Sequence, residues 1–169
     1  MSPTPPNPLA PLACRQHDHN RCINAAIDVA RSRCLASGVR LTSLREQVLR
    51  LIWQSHKPLG AYALMDMLAA EATRRVAPPT VYRALDFLLE QQLIHRIHSL
   101  NAFIGCAHPD GGHANNFLIC QACGVAVEFS NQHIDSAVAE TAAESGFAIT
   151  TQAIELAGLC SQCREQQHV

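Results

Sequence analysis

Residues 78–90 read Pro78-Pro79-Thr80-Val81-Tyr82-Arg83-Ala84-Leu85-Asp86-Phe87-Leu88-Leu89-Glu90. Two prolines suit the first turn of a helix, whose N–H groups have no intrahelical partner to lose. Val81, Leu85, Leu88 and Leu89 recur at helical spacing and mark an inner face. Tyr82, Arg83, Asp86 and Glu90 fall on the outer face.

Upstream, the spacing predicts three more helices. Ile23, Ile27, Ala30 and Cys34 recur with helical period, and Gly38 is a natural stop. Ser43-Leu44-Arg45-Glu46 reads as a capping box, with Thr42 as the alternative cap. Leu44, Val48, Leu49 and Ile52 follow as one buried stripe. Pro58 breaks the chain, and Gly60 precedes a third helix carrying Ala61, Leu64, Met65 and Leu68. Downstream, residues 93–97 and 102–106 flank a turn at Ser99-Leu100-Asn101 and predict a hairpin. Helices followed by a hairpin spell a winged helix-turn-helix over residues 21–104.

A glycine-containing hinge over 105–112 leads to a second unit, 113–169. It reads as a strand (116–120), a turn through Cys123-Gly124, a strand (125–129), a helix (131–145) and a strand (147–157). Ser130 or Asn131 caps the helix and Gly146 ends it. The fold class is α+β: an N-terminal winged helix and a small C-terminal α/β unit. Residues 1–20 form the tail, expected to be disordered; its first thirteen residues hold five of the nine prolines.

The 169 residues are 48% hydrophobic, enough for a core. No run approaches the roughly 18 apolar residues of a membrane span. The start lacks the basic and apolar regions of a signal peptide, so a reducing cytoplasm is expected. There the eight cysteines are expected to be thiols or metal ligands rather than disulfides. Residues 1–98 carry twelve Lys/Arg against seven Asp/Glu, and residues 99–169 one against seven. Such asymmetry fits a polyanion partner for the basic half, or chance segregation of surface charge.

Cys120-Gln121-Ala122-Cys123 and Cys160-Ser161-Gln162-Cys163 are two C-x-x-C pairs separated by 36 residues. Each tight turn can aim two sulfurs at one ion, and two turns complete the closed tetrahedron of structural zinc. Buried free cysteines would not explain two equal spacings. A redox C-x-x-C normally opens a helix, whereas Gly124 and Val125-Ala126-Val127 suggest a turn into a strand. His95, Cys106, His113 and Glu128 flank the junction of the two units. Spacing alone leaves them open to being solvated surface residues. Cys14-Arg15-Gln16-His17-Asp18-His19-Asn20-Arg21-Cys22 offers four more possible ligands, either to collect zinc or as a tail with adventitious affinity.

Arg40-Leu41-Thr42-Ser43-Leu44-Arg45, the run from Pro78 to Leu88, Cys120-x-x-Cys123-Gly124 and Cys160-x-x-Cys163 together resemble the ferric-uptake-regulator family. The likeness spans about residues 22–165 and is nearest to the family's zinc-uptake branch. It implies a winged helix and an α/β dimerisation domain joined by a hinge. It also implies metal-activated repression: a zinc-loaded homodimer on a palindromic double-stranded DNA operator that shuts off zinc-uptake genes. The family's sensory ligands match His95, Cys106, His113 and Glu128. Its structural ligands match Cys120, Cys123, Cys160 and Cys163. Two Zn2+ per subunit are therefore expected.

One thiolate, two imidazoles and one carboxylate suit tetrahedral zinc. Cys106 thus argues against the alternative within the family, an iron or peroxide sensor. The His-rich stretch before the first C-x-x-C is thin. His108 and His113 remain, Ala114-Asn115-Asn116 follows, and this argues against a third metal site. Recognition helices present their N-terminal residues to bases, which makes Thr80, Tyr82 and Arg83 candidate base contacts. Tyr62 and Arg40 are candidate backbone contacts. The alternative for Arg83 is an ion pair with Asp86 or Glu90. A zinc or thiol enzyme would need an open coordination position and a pocket. No nucleophile–base pair, phosphate loop or glycine fingerprint supports one, so neither catalysis nor a small-molecule substrate is expected.

Overall fold

The computed structural model describes residues 19–71, 76–107, 109 and 115–166. α1 (His19–Ala36) buries Ile23, Ile27, Ala30 and Cys34, the positions that helical spacing selects. α2 (Ser43–Ile52) is capped by Thr42, whose hydroxyl accepts from the Arg45 N–H (3.5 Å). The box at Ser43–Glu46 does not form. The Glu46 carboxylate instead takes the Arg31 guanidinium at 2.7 Å, because a charged donor outbids a backbone N–H.

β1 (Leu59–Gly60) leads into α3 (Ala61–Glu71), which buries Ala61, Leu64 and Leu68. α4 (Pro78–Glu90) buries Val81, Ala84, Leu85, Phe87 and Leu88. Phe87 takes the core place expected of Leu89, which is only partly buried. The Arg45 guanidinium carbon lies 3.5 Å from the Phe87 ring centroid, so this cation covers the aromatic face at the edge of the core.

β2 (Ile94–Ile97) and β3 (Ala102–Gly105) form the expected antiparallel hairpin. β1 adds a third strand through Leu59↔Phe103, in the order β1-β3-β2. A two-residue strand has no period to display, so the sequence shows no trace of it.

The second unit contains β4 (Asn115–Cys120), β5 (Ala126–Glu128), α5 (Gln132–Glu144), β6 (Ala153–Gly158) and α6 (Ser161–Gln166). The sheet order is β5-β4-β6, with β4 antiparallel to β5 and parallel to β6. The parallel pair requires a crossover, and α5 supplies it. Asn131 caps α5 by accepting from the His133 N–H (2.9 Å), and Gly146 ends it at φ +65°. The strand expected over 147–157 begins only at Ala153. Among the described residues β4 starts at Asn115, the register partner of Ala153, and residues 147–152 pair with no strand there. Gln152 instead donates to Asp135 of α5 (3.1 Å). The short, polar α6 is an addition to the sequence reading.

A small second core joins the two units: Ile97 and Ile104 from the wing pack with Phe117, Ile119 and Ala126. Two polar contacts reinforce it. The Ala126 N–H donates to the His56 carbonyl (3.1 Å). The Glu155 carboxylate accepts from the backbone N–H groups of His98 (2.6 Å) and Ser99 (3.0 Å) at the wing turn. On the other side of the sheet, the register partners Leu118 and Leu156 stay 44% and 47% exposed, and α5 buries no residue.

Gly105 lies against the only tryptophan, Trp53, and a β-carbon there would overlap the indole ring. Gly105→Ala should therefore destabilise the protein by about 1–3 kcal/mol, the usual range for overpacking. Thermal melting measures the loss, and a shifted Trp53 emission maximum would locate it.

Candidate metal centres and nucleic-acid interface

Cys120 closes β4, and its register partner Gly158 lies two residues before Cys160. Gly124, at φ +75°, turns the chain back, with its N–H on the Cys120 carbonyl (2.9 Å). This left-handed conformation favours glycine and brings Cys123 beside Cys120. Cys160 and Cys163 sit at the start of α6. The four sulfurs all lie within 4.8 Å of one another. Cys123 Sγ and Cys160 Sγ are 3.8 Å apart. A tetrahedron with Zn–S near 2.3 Å has edges of about 3.8 Å, the separation of Cys123 and Cys160, so the quartet is close to the arrangement that zinc requires.

The protons tell the same story. Backbone N–H donation from Cys123 and Cys160 lowers the Cys120 thiol to about 6. Hydrogen bonding to Cys160, together with burial, holds the Cys163 proton up to about 12. One sulfur ionises readily and another resists, because adjacent thiolates repel unless a cation sits among them.

At the junction, the ligand atoms of His95, Cys106 and Glu128 also lie within 4.8 Å of one another. His95 comes from β2 and Glu128 from β5. Cys106 follows β3, its N–H on the Leu93 carbonyl (3.0 Å). One winged-helix residue, one at the exit of the wing and one from the second unit thus converge. His95 Nε2 is 3.3 Å from Glu128 Oε1, close to the roughly 3.4 Å edge of a tetrahedron with metal–N and metal–O near 2.1 Å. His95 is only 6% exposed. Burial disfavours its charged form, but hydrogen bonding to Cys106 and Glu128 outweighs this and pushes its pKa up to about 9. A bound ion would displace that proton while keeping positive charge beside the two acids.

His113 and His108 lie outside the described residues, as do Cys14 and His17 of the N-terminal cluster. His19 and Cys22 sit in the first turn of α1. The His19 ring meets His56 edge-on, with centroids 4.9 Å apart. Among the described residues neither joins a group of three ligand atoms within 4.8 Å. Sequence reading missed two functional residues. Asn115 accepts from His95 Nδ1–H (2.9 Å), and Glu155 clamps the wing. Asn115 had one signal, a polar residue opening a strand two positions after a candidate ligand. Glu155 had none, since its partners are backbone groups.

Thr80, Tyr82, Arg83 and Arg40 are all exposed, and Tyr62 is 78% exposed. Among the described residues Arg83 pairs with neither Asp86 nor Glu90, so its guanidinium is available to a ligand. Ala77 leaves the start of α4 without a side-chain cap; Pro78 and Pro79 have no N–H to satisfy, and the Thr80 N–H donates to the Ala77 carbonyl (2.9 Å). No helix among the described residues is long and apolar enough to cross a membrane.

The profile of the Ferric uptake regulator family matches residues 36–157. The zinc uptake regulation protein of Escherichia coli (strain K12) is 41% identical over 133 residues, covering 78% of this chain and 77% of that one. Among solved structures, a zinc uptake regulator complexed with zinc and DNA superposes with TM-score 0.78 at 35% identity, covering 91% of this chain and all of that one. Holo XcZur superposes with TM-score 0.76 at 41% identity, covering 84% of this chain and 99% of that one.

Cys120→Ser should open the quartet and cost at least about 3 kcal/mol, or roughly 6–12 °C in Tm. A chelator strong enough to strip the wild type should reproduce that shift, and a native melting curve would exclude a structural role. The Glu155 clamp predicts an acid-side effect. Partial burial resists ionisation of Glu155, but donation from Ser99 and His98 prevails and its pKa is lowered. A lowered folded-state pKa contributes stability above the ordinary carboxylate pKa, and that stability is lost as pH falls through the lowered value. Glu155→Gln should flatten this part of the Tm-against-pH curve. Superimposable curves would remove the clamp from the account.

Proposed function

This chain belongs to the ferric uptake regulator family, and on that footing we propose that it is a zinc-responsive transcriptional repressor. It acts as a homodimer on a near-palindromic DNA operator and shuts off zinc-uptake genes, in the cytoplasm. The observation that carries the reading is the convergence of His95 from the winged helix, Cys106 at the exit of its wing and Glu128 from the second unit. A ligand set drawn from both units makes their relative orientation depend on ion occupancy. His113, the remaining sensory position of the resemblance, completes the set. Cys120, Cys123, Cys160 and Cys163 form the structural site, for two zinc ions per subunit.

Cys106 selects the metal. A thiolate beside imidazole and carboxylate favours zinc over the nitrogen and oxygen surroundings natural to an iron sensor. The relatives agree, since both the E. coli protein and the structure bound to zinc and DNA are zinc uptake regulators. The uncovered sheet face with Leu118 and Leu156 supports dimerisation through the second unit. A dimer then sets the spacing of two winged helices, as a two-fold operator demands. Arg83 reads a guanine edge or grips phosphate, Thr80 and Tyr82 flank it, and Tyr62 and Arg40 hold the backbone.

The direction of the switch follows from linkage. Bound zinc supplies a divalent charge shared among ligands of both units, and it shifts the population only by favouring the DNA-competent arrangement. Cys106→Ser should weaken zinc-dependent operator binding at least about tenfold, with dimerisation intact by sedimentation. Arg83→Ala should lower affinity by about 1–3 kcal/mol whatever the zinc level. Fluorescence anisotropy on a zinc-uptake promoter fragment measures both, with zinc buffered and ferrous and manganous ions in parallel. Binding driven by iron or manganese, or a Cys106→Ser variant with unaltered zinc dependence, would overturn the sensor assignment.

A further inference from the structure

We propose that Asn115 is a positioning residue that dictates which ring nitrogen of His95 meets the metal, and so sets the zinc affinity of the junction site. This deepens the function above and rests on His95, Cys106 and Glu128 being ligands there.

A neutral imidazole has one N–H and one lone pair, and only the lone pair binds a metal. His95 directs Nε2 toward Glu128, 3.3 Å away, so the lone pair is needed on Nε2 and the proton on Nδ1. In water the opposite tautomer, with the proton on Nε2, is the more populated. An acceptor at Nδ1 favours the tautomer that leaves Nε2 free, and at 6% exposure water is a poor candidate for it. Asn115 Oδ1 stands 2.9 Å from Nδ1 and accepts its proton. Were the amide turned over, its NH2 would claim the Nδ1 lone pair and leave the proton on Nε2, where it blocks the metal.

The strand beneath makes this contact directional. Residues alternate across a strand, so Asn115 and Phe117 share a face of β4. Phe117 meets the same His95 ring edge-on, with centroids 5.4 Å apart. One strand of the second unit therefore holds a histidine of the winged helix by both its proton and its ring. The register of β4 against β6, which ends at Cys120↔Gly158, sets where Asn115 lies.

A neutral amide rather than a carboxylate also suits the charge. Cys106 as thiolate and Glu128 as carboxylate already balance a divalent ion. An aspartate at 115 would add a negative charge, make His95 more basic and tighten zinc. Asparagine keeps the tautomer and leaves the site looser, as a reversible sensor needs.

The test uses the full-length protein with the cysteine quartet filled, and zinc in competition with a chromophoric chelator. Asn115→Leu should weaken the junction zinc by about 10–100-fold, while the quartet zinc and Tm stay near wild type. Asn115→Asp, of nearly the same shape, should bind at least as tightly as wild type, and this rescue separates proton acceptance from mere packing. Nitrogen-15 spectra of labelled histidine give a readout independent of DNA binding. Zinc-loaded wild type should show His95 protonated at Nδ1 and coordinated through Nε2, and Asn115→Leu should lose that protected proton. Leucine and wild type within twofold of each other, aspartate binding as weakly as leucine, or coordination through Nδ1 would each overturn the inference. If wild type binds zinc only at the quartet, the ligand assignment falls as well, which distinguishes the two failures.

Discussion

β4 is hydrogen-bonded along both edges, antiparallel to β5 and parallel to β6, so neither end can shift without breaking a ladder. Its last residue is Cys120, in the sulfur quartet. Its first is Asn115, against His95 of the winged helix. Between them Phe117 and Ile119 enter the small core that the two units share. One six-residue strand thus connects the structural site, the join and the junction site. A small unit has little core of its own, and α5 buries nothing within the chain. The quartet brings β4, the end of β6 and α6 together at one point.

The junction combines a permanent fastening with a conditional one. Apolar packing of Ile97 and Ile104 against Phe117, and the Glu155 carboxylate on the wing-turn N–H groups, join the units through contacts that involve no ligand atom of the cluster. The conditional part is the cluster of His95, Cys106 and Glu128. Two acids and one base within hydrogen-bonding reach retain a proton on the imidazole. An ion entering there exchanges a local charge pairing for bonds to both units. The free-energy difference between arrangements has only to reach a few kcal/mol to move a population.

The outer face of α4 obeys a different constraint. α4 anchors itself with five buried residues, and that anchoring frees Thr80, Tyr82 and Arg83 to point outward. Arg45 is spent on the Phe87 ring and the Arg40 carbonyl (2.6 Å), and Arg31 on Glu46. Arg83 takes up no such duty. The basic excess of residues 1–98 therefore divides between cations that hold the fold together and cations left for a polyanion.

How much was legible in the chain depends on the range of the physics involved. Helical period located the buried face of α1 to the residue and that of α4 apart from Ala84 and from Phe87 in place of Leu89, because periodicity is a local record of burial. Two equal C-x-x-C spacings announced the quartet, since a tight turn needs no distant help to aim two sulfurs. The motifs of the resemblance named His95, Cys106 and Glu128, which spacing alone left indistinguishable from surface residues. Other features were settled only by tertiary structure. Thr42 rather than Ser43 caps α2 because Arg31, fifteen residues away from Glu46, takes the carboxylate. Gln152, just before β6, turns to Asp135 of α5 across the sheet. Glu155 meets the wing and Asn115 meets His95 across the join. Local pattern determined which faces are buried and which turns can hold an ion; strand register and charge pairing between distant residues decided what each ligand touches, because those contacts exist only once the two units are packed.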